Sequence, residues 1–339
     1  MRKLRVLALM HDYLVPPADV TGIDVKNAKW KMEFDVTHTL EHMGHEVRAL
    51  GLGGDLTPIK QAITDWNPHI VFNLMESFEG ISMFDQNVVS YLELLRLAYT
   101  GCNPRGLIMA RDKALSKKLL AYHRIPVPDF MVVRVGRKPA LPTRLPFPLI
   151  VKSLFFEASS GISQASVVES PEQLSRRVAF IHESLGTAAI VERFIDGREL
   201  YVGVVGNERL EVLPVWEMSF ANMPDNRWKI ATERVKWSTK YQKRHKIMTA
   251  AADLEPAAAE RIRHIAKRAY RALDLSGYAR IDMRLEDSGR VYVLEANPNP
   301  NLAYGEDLAE SAEHGGLAYE ALLSKIIALG LRWKPERTG

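Results

Sequence analysis

Three apolar runs, "VLALM" from Val6, "HEVRAL" from His45 and "HIVFNLM" from His69, alternate with stretches of helical spacing. The spacing predicts one helix over Lys26 to Met43, stopped by Gly44, and another over Thr57 to Trp66, stopped near Asn67-Pro68. Alternation of strand and helix is the pattern of a parallel α/β sheet. The first hundred residues are therefore expected to form a parallel α/β sheet. Ligands of such sheets sit beyond the strand C-termini. That rule puts His11-Asp12 and the segment Asn73 to Glu79 at any binding edge.

The rest of the chain reads differently. A helix over Val88 to Leu97 leads through "AYTGCNPRG" to "GLIMARDKALSKKLLAYHRI", one basic helix stopped by "PVPDF". Pro139 to Pro148 is a loop before the strand "LIVKSL", and a short strand "SVV" follows. Pro171 to Leu185 reads as a helix. "AAIVERFI" and "RELYVGVVG" read as strands about an Asp196-Gly197 turn. Residues 208–247 read as irregular and charged. Ala257 to Leu273 is helical, a hairpin follows, and Leu317 to Leu329 is again helical. The later part is thus expected to be antiparallel strands with helices on one face, an α+β arrangement.

The chain has 339 residues, 47% hydrophobic and 25% charged, enough for two or three cores. Its net charge of +4 suits anionic ligands such as nucleotides without marking a nucleic-acid binder. The charge run "KYQKRHK" lacks the interleaved aromatics of a stacking surface, so no nucleic-acid partner is expected. Cys102 is the only cysteine; no internal disulfide can form, and a reducing cytoplasm fits best. The basic, apolar start "MRKLRVLALMHDYL" is interrupted by His11 and Asp12 and reads as a buried strand rather than a signal peptide. No apolar run reaches the length of a membrane span, which is about 18 residues.

The hairpin "RIDMRLEDSGRVYVLEANPNPN", Arg280 to Asn301, places acids where a sheet should resist them. A two-residue Ser288-Gly289 turn would set Asp282 opposite Glu295 and Arg280 opposite Asn297. Alternation then sends Ile281, Met283, Leu285, Tyr292 and Leu294 to a core face. Arg280, Asp282, Arg284, Val293, Glu295 and Asn297 share the other. Facing carboxylates repel unless the face is wet, an arginine neutralises them, or a divalent cation bridges them. Two acids and an amide form an oxygen-only set, which suits magnesium.

In "VKSLFFEASSGIS", Lys152 ends an apolar strand and a loop with Ser159, Ser160 and Gly161 follows; such loops can wrap phosphate oxygens. The segment is neither a Walker motif nor GxGxxG, and Lys152 could also stand in solvent. "IVERFIDGREL" places Glu192 and Glu199 around a turn, where edge backbone could pair with adenine and an acid could hold a ribose hydroxyl. A charged surface hairpin is the alternative. Lys113 lies on a basic helix face that could equally be solvated. No nucleophile motif, GxSxG or zinc spacing occurs.

Taken together and in order, "LAYTGCNPRGLIMARDKALSKKLLAYHRIPVPDF", "FPLIVKSLFFEASSGIS", "IVERFIDGREL", "GYARIDMRLEDSGRVYVLEANPNPN" and "GGLAYEALLSKIIALGL" resemble the ATP-grasp superfamily and its D-alanine–D-alanine ligase-like enzymes. The matching stretches span most of residues 98–330. The resemblance implies an ATP-grasp fold with a parallel α/β unit over 1–100, a small lobe over 101–188 and a C-terminal lobe over 189–335. It implies ATP-driven joining of a carboxylate to an amine through an acyl phosphate, small-molecule substrates, no membrane partner and a homodimer. By position, Lys113 and Lys152 would contact the ATP phosphates, with the loop Glu157, Ser159, Ser160 and Gly161 closing over them. Glu192 and the backbone of Arg193, Phe194 and Ile195 would hold adenine, and Glu199 the ribose. Asp282, Glu295 and Asn297 would bind two magnesium ions, or manganese. Arg280 would steady the acyl phosphate, and Lys236 would reach the γ-phosphate.

The sequence departs from the D-alanine pattern at "MHDYLVPPADVTG", at "NLMESFEG", and from "NPNPN" into "LAYGEDLAES". Those regions would wall the substrates, so a substrate other than D-alanine is expected. Asp12, Glu76 and Glu79 could bind its amino group or could be plain surface acids, and Asn301 lies where the tail departs.

Overall fold

The structure is a computed structural model and describes residues 3–140, 145–156 and 161–334. Glu157, Ser159 and Ser160 of the expected phosphate loop lie outside the described residues, as do residues 141–144 of the proline-rich loop.

The first unit runs β1 (Arg5–His11), α1 (Lys31–His42), β2 (Glu46–Leu52), α2 (Thr57–Trp66), β3 (Ile70–Asn73) and α3 (Asp85–Leu94). Its strands are parallel in the order β2-β1-β3, as the alternation predicts. β1 is central, and both its faces are covered. Leu7 and Leu9 point into one apolar cluster, while Val6, Ala8 and Met10 point into another. The expected helix from Lys26 starts only at Lys31. Val25–Asn27 form a separate 3-10 turn, and Ala28 is extended (φ −71°, ψ 143°), which breaks the helical path. Gly44, at φ 88°, supplies the left-handed stop after α1.

The next segments are α4 (Pro104–Arg111), α5 (Lys113–Tyr122), β4 (Phe130–Val133), β5 (Leu149–Ser153), β6 (Val167–Val168), α6 (Pro171–Leu185) and β7 (Ala189–Arg193). The expected single basic helix is in fact two. Asp112 is extended (φ −89°, ψ 102°) and accepts the N–H groups of Ala114 and Leu115 at 2.9 Å each. An N-cap aspartate explains the break, because it gives the second helix's free donors an acceptor. Asp112→Ala is expected to cost about 1 kcal/mol in urea unfolding. The four strands form an antiparallel sheet, β4-β7-β5-β6. β7 pairs with both β4 and β5 there, so we propose that this unit continues to about Asp196 rather than ending at residue 188.

The remainder is β8 (Arg198–Val205), β9 (Glu211–Phe220), α7 (Glu233–Trp237), α8 (Thr239–His245), β10 (Ile247–Ala251), α9 (Pro256–Ala272), β11 (Tyr278–Leu285), β12 (Val291–Pro298), α10 (Asp307–His314) and α11 (Tyr319–Leu331). Its antiparallel sheet has the order β10-β9-β8-β11-β12. Residues 208–247 are therefore not irregular: a ten-residue strand and two short helices occupy them. Pro214 hides that strand in the sequence, since proline argues against a strand interior. Here the β8–β9 register passes from Val202↔Val215 to Val204↔Val212, and the irregularity accommodates the proline. α9 buries Ile262, Ala266, Ala269 and Tyr270. One continuous apolar cluster takes Leu7 and Val71 from the first sheet together with Ile281, Met283 and Val293 from the last. The middle sheet has its own cluster with α6, around Leu149, Val151, Val178 and Ile181. No helix among the described residues is long and apolar enough to cross a membrane.

Candidate active site

β11 and β12 bring Arg280 opposite Asn297 and Asp282 opposite Glu295, as the expected pairing requires. The turn that produces this differs. The Glu286 N–H donates to the Arg290 carbonyl (3.0 Å), so Asp287, Ser288 and Gly289 form a three-residue loop, with Gly289 at φ 80°. A register shift after Asp282 then pairs Met283 with Val293. The longer turn and the shift offset one another at the acids. Between them the faces exchange. Val291 and Val293 join Ile281, Met283 and Leu285 in the core, in place of Tyr292 and Leu294. Tyr292 instead lies under the guanidinium groups of Arg193 and Arg290. Leu294 has no partner in β11 and lines the cleft.

That cleft opens between the second and third sheets. Ten of the expected site residues line it: Lys113, Lys152, Glu192, Arg193, Phe194, Ile195, Glu199, Lys236, Asp282 and Glu295. One end is apolar, with Ile150, Ile162, Phe194 and Ile230, and Trp228 meets Phe194 edge-on at 5.1 Å. The Arg193 and Phe194 N–H groups are taken up by the carbonyls of Asp129 and Pro148 (2.9 and 3.1 Å). The Ile195 N–H has no protein acceptor among the described residues.

Lysines dominate the other end. Lys113 is buried and donates to the Phe156 carbonyl (2.8 Å), with Glu295 Oε2 at 3.9 Å. Lys152 is no solvent cap: it reaches Glu192 at 3.2 Å, and Lys117 reaches the same carboxylate at 3.2 Å. Burial pushes Lys113 and Lys117 below the ordinary ammonium range. Burial acts on Lys152 in the same sense, but Glu192 and Glu295 outweigh it and hold that ammonium above its usual range. Glu192 is 1% exposed. Its carboxylate is held by the two lysines. Lys117 was not among the expected residues. The only sign of it was a second lysine one helical turn beyond Lys113.

Glu199 accepts from Arg284 (2.6 Å) and from the Tyr201 hydroxyl (2.9 Å). Arg284 thus serves Glu199, and also the Gly197 and Lys229 carbonyls, rather than the facing acids. Arg280 does neutralise Asp282, through two bonds of 2.7 and 2.9 Å. It lies over the Tyr201 ring at 4.5 Å and reaches Asp307 at 3.3 Å. Burial pushes Asp282 up to about 6, with Arg280 pulling back and Glu295 pushing further. The two-bond grip itself favours the ionised carboxylate. Burial would also raise Glu295, but Lys113, Lys152 and Lys236 outweigh it and hold that carboxyl at about 2.

Asp282, Glu295 and Asn297 offer oxygen to a hard cation. Among the described residues no three His, Cys, Asp or Glu side chains gather as a metal cluster, so an ion here would depend on the amide. Asn297 Nδ2 is buried without a partner among the described residues. Turning the amide to present its oxygen breaks no protein bond. Gly161 is held from behind: its carbonyl accepts from Arg177, which also reaches Ser166 at 2.8 Å.

The expected substrate acids separate. A methyl at Gly53 would lie 3.1 Å from Asp12 Oδ2, and one at Gly54 would lie 2.9 Å from Glu79 Oε1; both acids therefore flank the turn after β2. Glu76 keeps an exposed surface although protein crowds its carboxyl. That crowding pushes its carboxyl up, with Arg111 acting against it. Asn301 is exposed and accepts the Ala303 N–H (2.8 Å). Asn299 accepts the Cys102 N–H (2.8 Å), so the tail also locks the loop before α4.

Glu33 was missed. It shares the inward stripe of α1 with Val36 and Leu40, is 1% exposed, and neither oxygen has a partner among the described residues. Burial pushes it to about 7, and Glu76 adds to the shift. A folded pKa above the unfolded one means the native state holds the proton more tightly. Stability from this group is full below the ordinary carboxylate range and is lost as pH rises through about 7. Glu33→Gln should flatten that decline, seen as urea midpoints that no longer fall between about pH 5 and pH 8.

A family model described as the D-ala D-ala ligase C-terminus matches residues 119–328. The chain is 32% identical to an uncharacterized protein, y4sG, of Sinorhizobium fredii, over 78% of this chain and 75% of that one. It is 30% identical to a D-alanine–D-alanine ligase of Desulfotalea psychrophila, over 77% and 78%. The crystal structure of D-alanine–D-alanine ligase from Bacillus anthracis complexed with ATP superposes with a TM-score of 0.75, covering 97% of this chain and 98% of that one. At 22% identity that likeness shows the ATP-grasp fold. The family match covers more than half of the chain and includes the strands that carry Glu192, Asp282 and Glu295; the chain belongs to the D-alanine–D-alanine ligase family of ATP-grasp enzymes, ADP-forming ligases.

Proposed function

We propose that this enzyme joins a carboxylate to an amine through an acyl phosphate made from ATP, on an amino acid or peptide-like substrate other than D-alanine. The observation that carries the reading is one cleft lined by Lys113, Lys152, Lys236, Asp282 and Glu295 beside an apolar pocket. Attack of a carboxylate on a phosphoryl group brings anions together, and the lysines offset that repulsion. The backbone of Arg193 to Ile195, with its open Ile195 N–H, holds a base against Phe194 and Ile230. Glu199, fixed by Arg284 and Tyr201, accepts a ribose hydroxyl. Arg280 stabilises charge that develops on the acyl oxygen. Asp282, Glu295 and Asn297 would hold two magnesium ions, with manganese able to replace them. Those ions would neutralise the transferring phosphoryl group.

The substrate reading rests on the walls. Asp12, Glu76 and Glu79 would supply the N-terminal wall, and the NPNPN tail is committed to structure at Asn299. An authentic D-alanine–D-alanine ligase is the second reading, supported by relatives that bear that name. A nucleotide-binding regulator without ligase activity is the third. ADP release over a panel of amino acids and amines separates them. Release with D-alanine alone would establish the second reading. Nucleotide binding with no release for any pair would favour the third. The reading also includes a homodimer in a reducing cytoplasm, where the buried Cys102 thiol would stay unmodified.

A further inference from the structure

Glu295 faces Asp282 only because β12 carries one residue more than β11 can match. That residue is Leu294. If the register at the turn continued along the strands, Leu294 would stand opposite Asp282 and Glu295 opposite Ile281. A one-residue slip reverses the faces of a strand, so Glu295 would then point into the core. The acid pair therefore depends on whatever holds the bulge. Two contacts reach it from outside the sheet. The Val293 N–H donates to the Pro126 carbonyl (2.9 Å), and the Lys117 ammonium donates to the Leu294 carbonyl (2.5 Å). Lys117 is 1% exposed, and its second partner is Glu192, at 3.2 Å. A buried ammonium directed at the carbonyl of the residue that has no partner in β11 is a strong, directional restraint.

We propose that Lys117 is a positioning residue for Glu295: it fixes the β12 bulge and so holds Glu295 on the cleft face. This goes beyond the ATP-ligase reading and rests on that reading only where metal is concerned. The competing role is simple charge balance for Glu192. The two roles separate in K117M and in the double variant E192Q/K117M, which removes the acid that K117M alone would leave buried and uncompensated. Amide hydrogen exchange across residues 291–297 is read without metal, and manganese binding with a non-hydrolysable ATP analogue is read by electron paramagnetic resonance. Positioning predicts exchange about tenfold faster in both variants, and manganese binding weakened about tenfold or more. K117R should recover part of each. Parent-like exchange and manganese affinity in the double variant would overturn the proposal, even if K117M alone fails to fold. If the parent enzyme binds no manganese, the metal reading falls, and the exchange measurement still decides the role of Lys117.

Discussion

Glu295→Ala is expected to lower metal-dependent ADP formation by about a thousandfold or more while the circular dichroism spectrum stays native. The side chain lies on the cleft face of β12, opposite Asp282 and within 3.9 Å of Lys113. Its removal deletes one of two carboxylates from the oxygen set and leaves Lys113 without its nearest anion. The strand itself should persist, because its core contacts come from Val291, Val293 and Ala296. Asn299→Ala is the informative contrast. It removes the bond to the Cys102 N–H and should lower thermal stability without changing the metal requirement. Turnover by Glu295→Ala at the parent rate would end the assignment of this hairpin.

Arg284→Met should unfold at markedly lower urea, a loss of about 3–5 kcal/mol, because it strands a buried carboxylate. Arg284 and Glu199 are 4% and 8% exposed, and their contact is 2.6 Å. Arg284 also donates to the Gly197 and Lys229 carbonyls, which fixes the turn before β8 and the segment that leads to Lys236. Replacing Glu199 by glutamine in the same chain should restore part of the loss, since an amide is far cheaper to bury than a charge. A loss equal in the single and double variants would mean that the two carbonyl contacts, not the ion pair, carry the effect.

Much of this site could be read from the residues, and the misreadings have physical causes. Period-two alternation found Asp282, Glu295 and Asn297 on one face, because a sheet that must bury Ile281 leaves them no other. Turn length is set by backbone angles at single positions, and Gly289 is compatible with a two- or a three-residue loop; the register near the turn therefore came out one residue off. Pro214 concealed β9 because its local preference opposes a strand, and only the mismatch with β8 makes room for it. Asp112 could have been found as a helix start, yet the apolar spacing continues across it. Lys117 and Arg284 were the harder cases. Their partners, Leu294 and Glu199, are distant in sequence, and nothing local distinguishes a buried cation from a solvated one.

The apolar cluster shared by the first and last sheets restricts how this enzyme could acquire new substrates. Leu7, Leu9 and Val71 are packed into the same interior as Ile281, Met283 and Val293, so the N-terminal unit is not a cassette that recombination could exchange without reopening that interior. Change must come instead from loops that leave the strands: the turn after β1, the segment after β3, and the tail beyond Asn297. Those segments carry Asp12, Glu76, Glu79 and Asn301, the residues expected from the sequence to meet the substrate. In this lineage, new specificity would be written as short edits on a fixed frame.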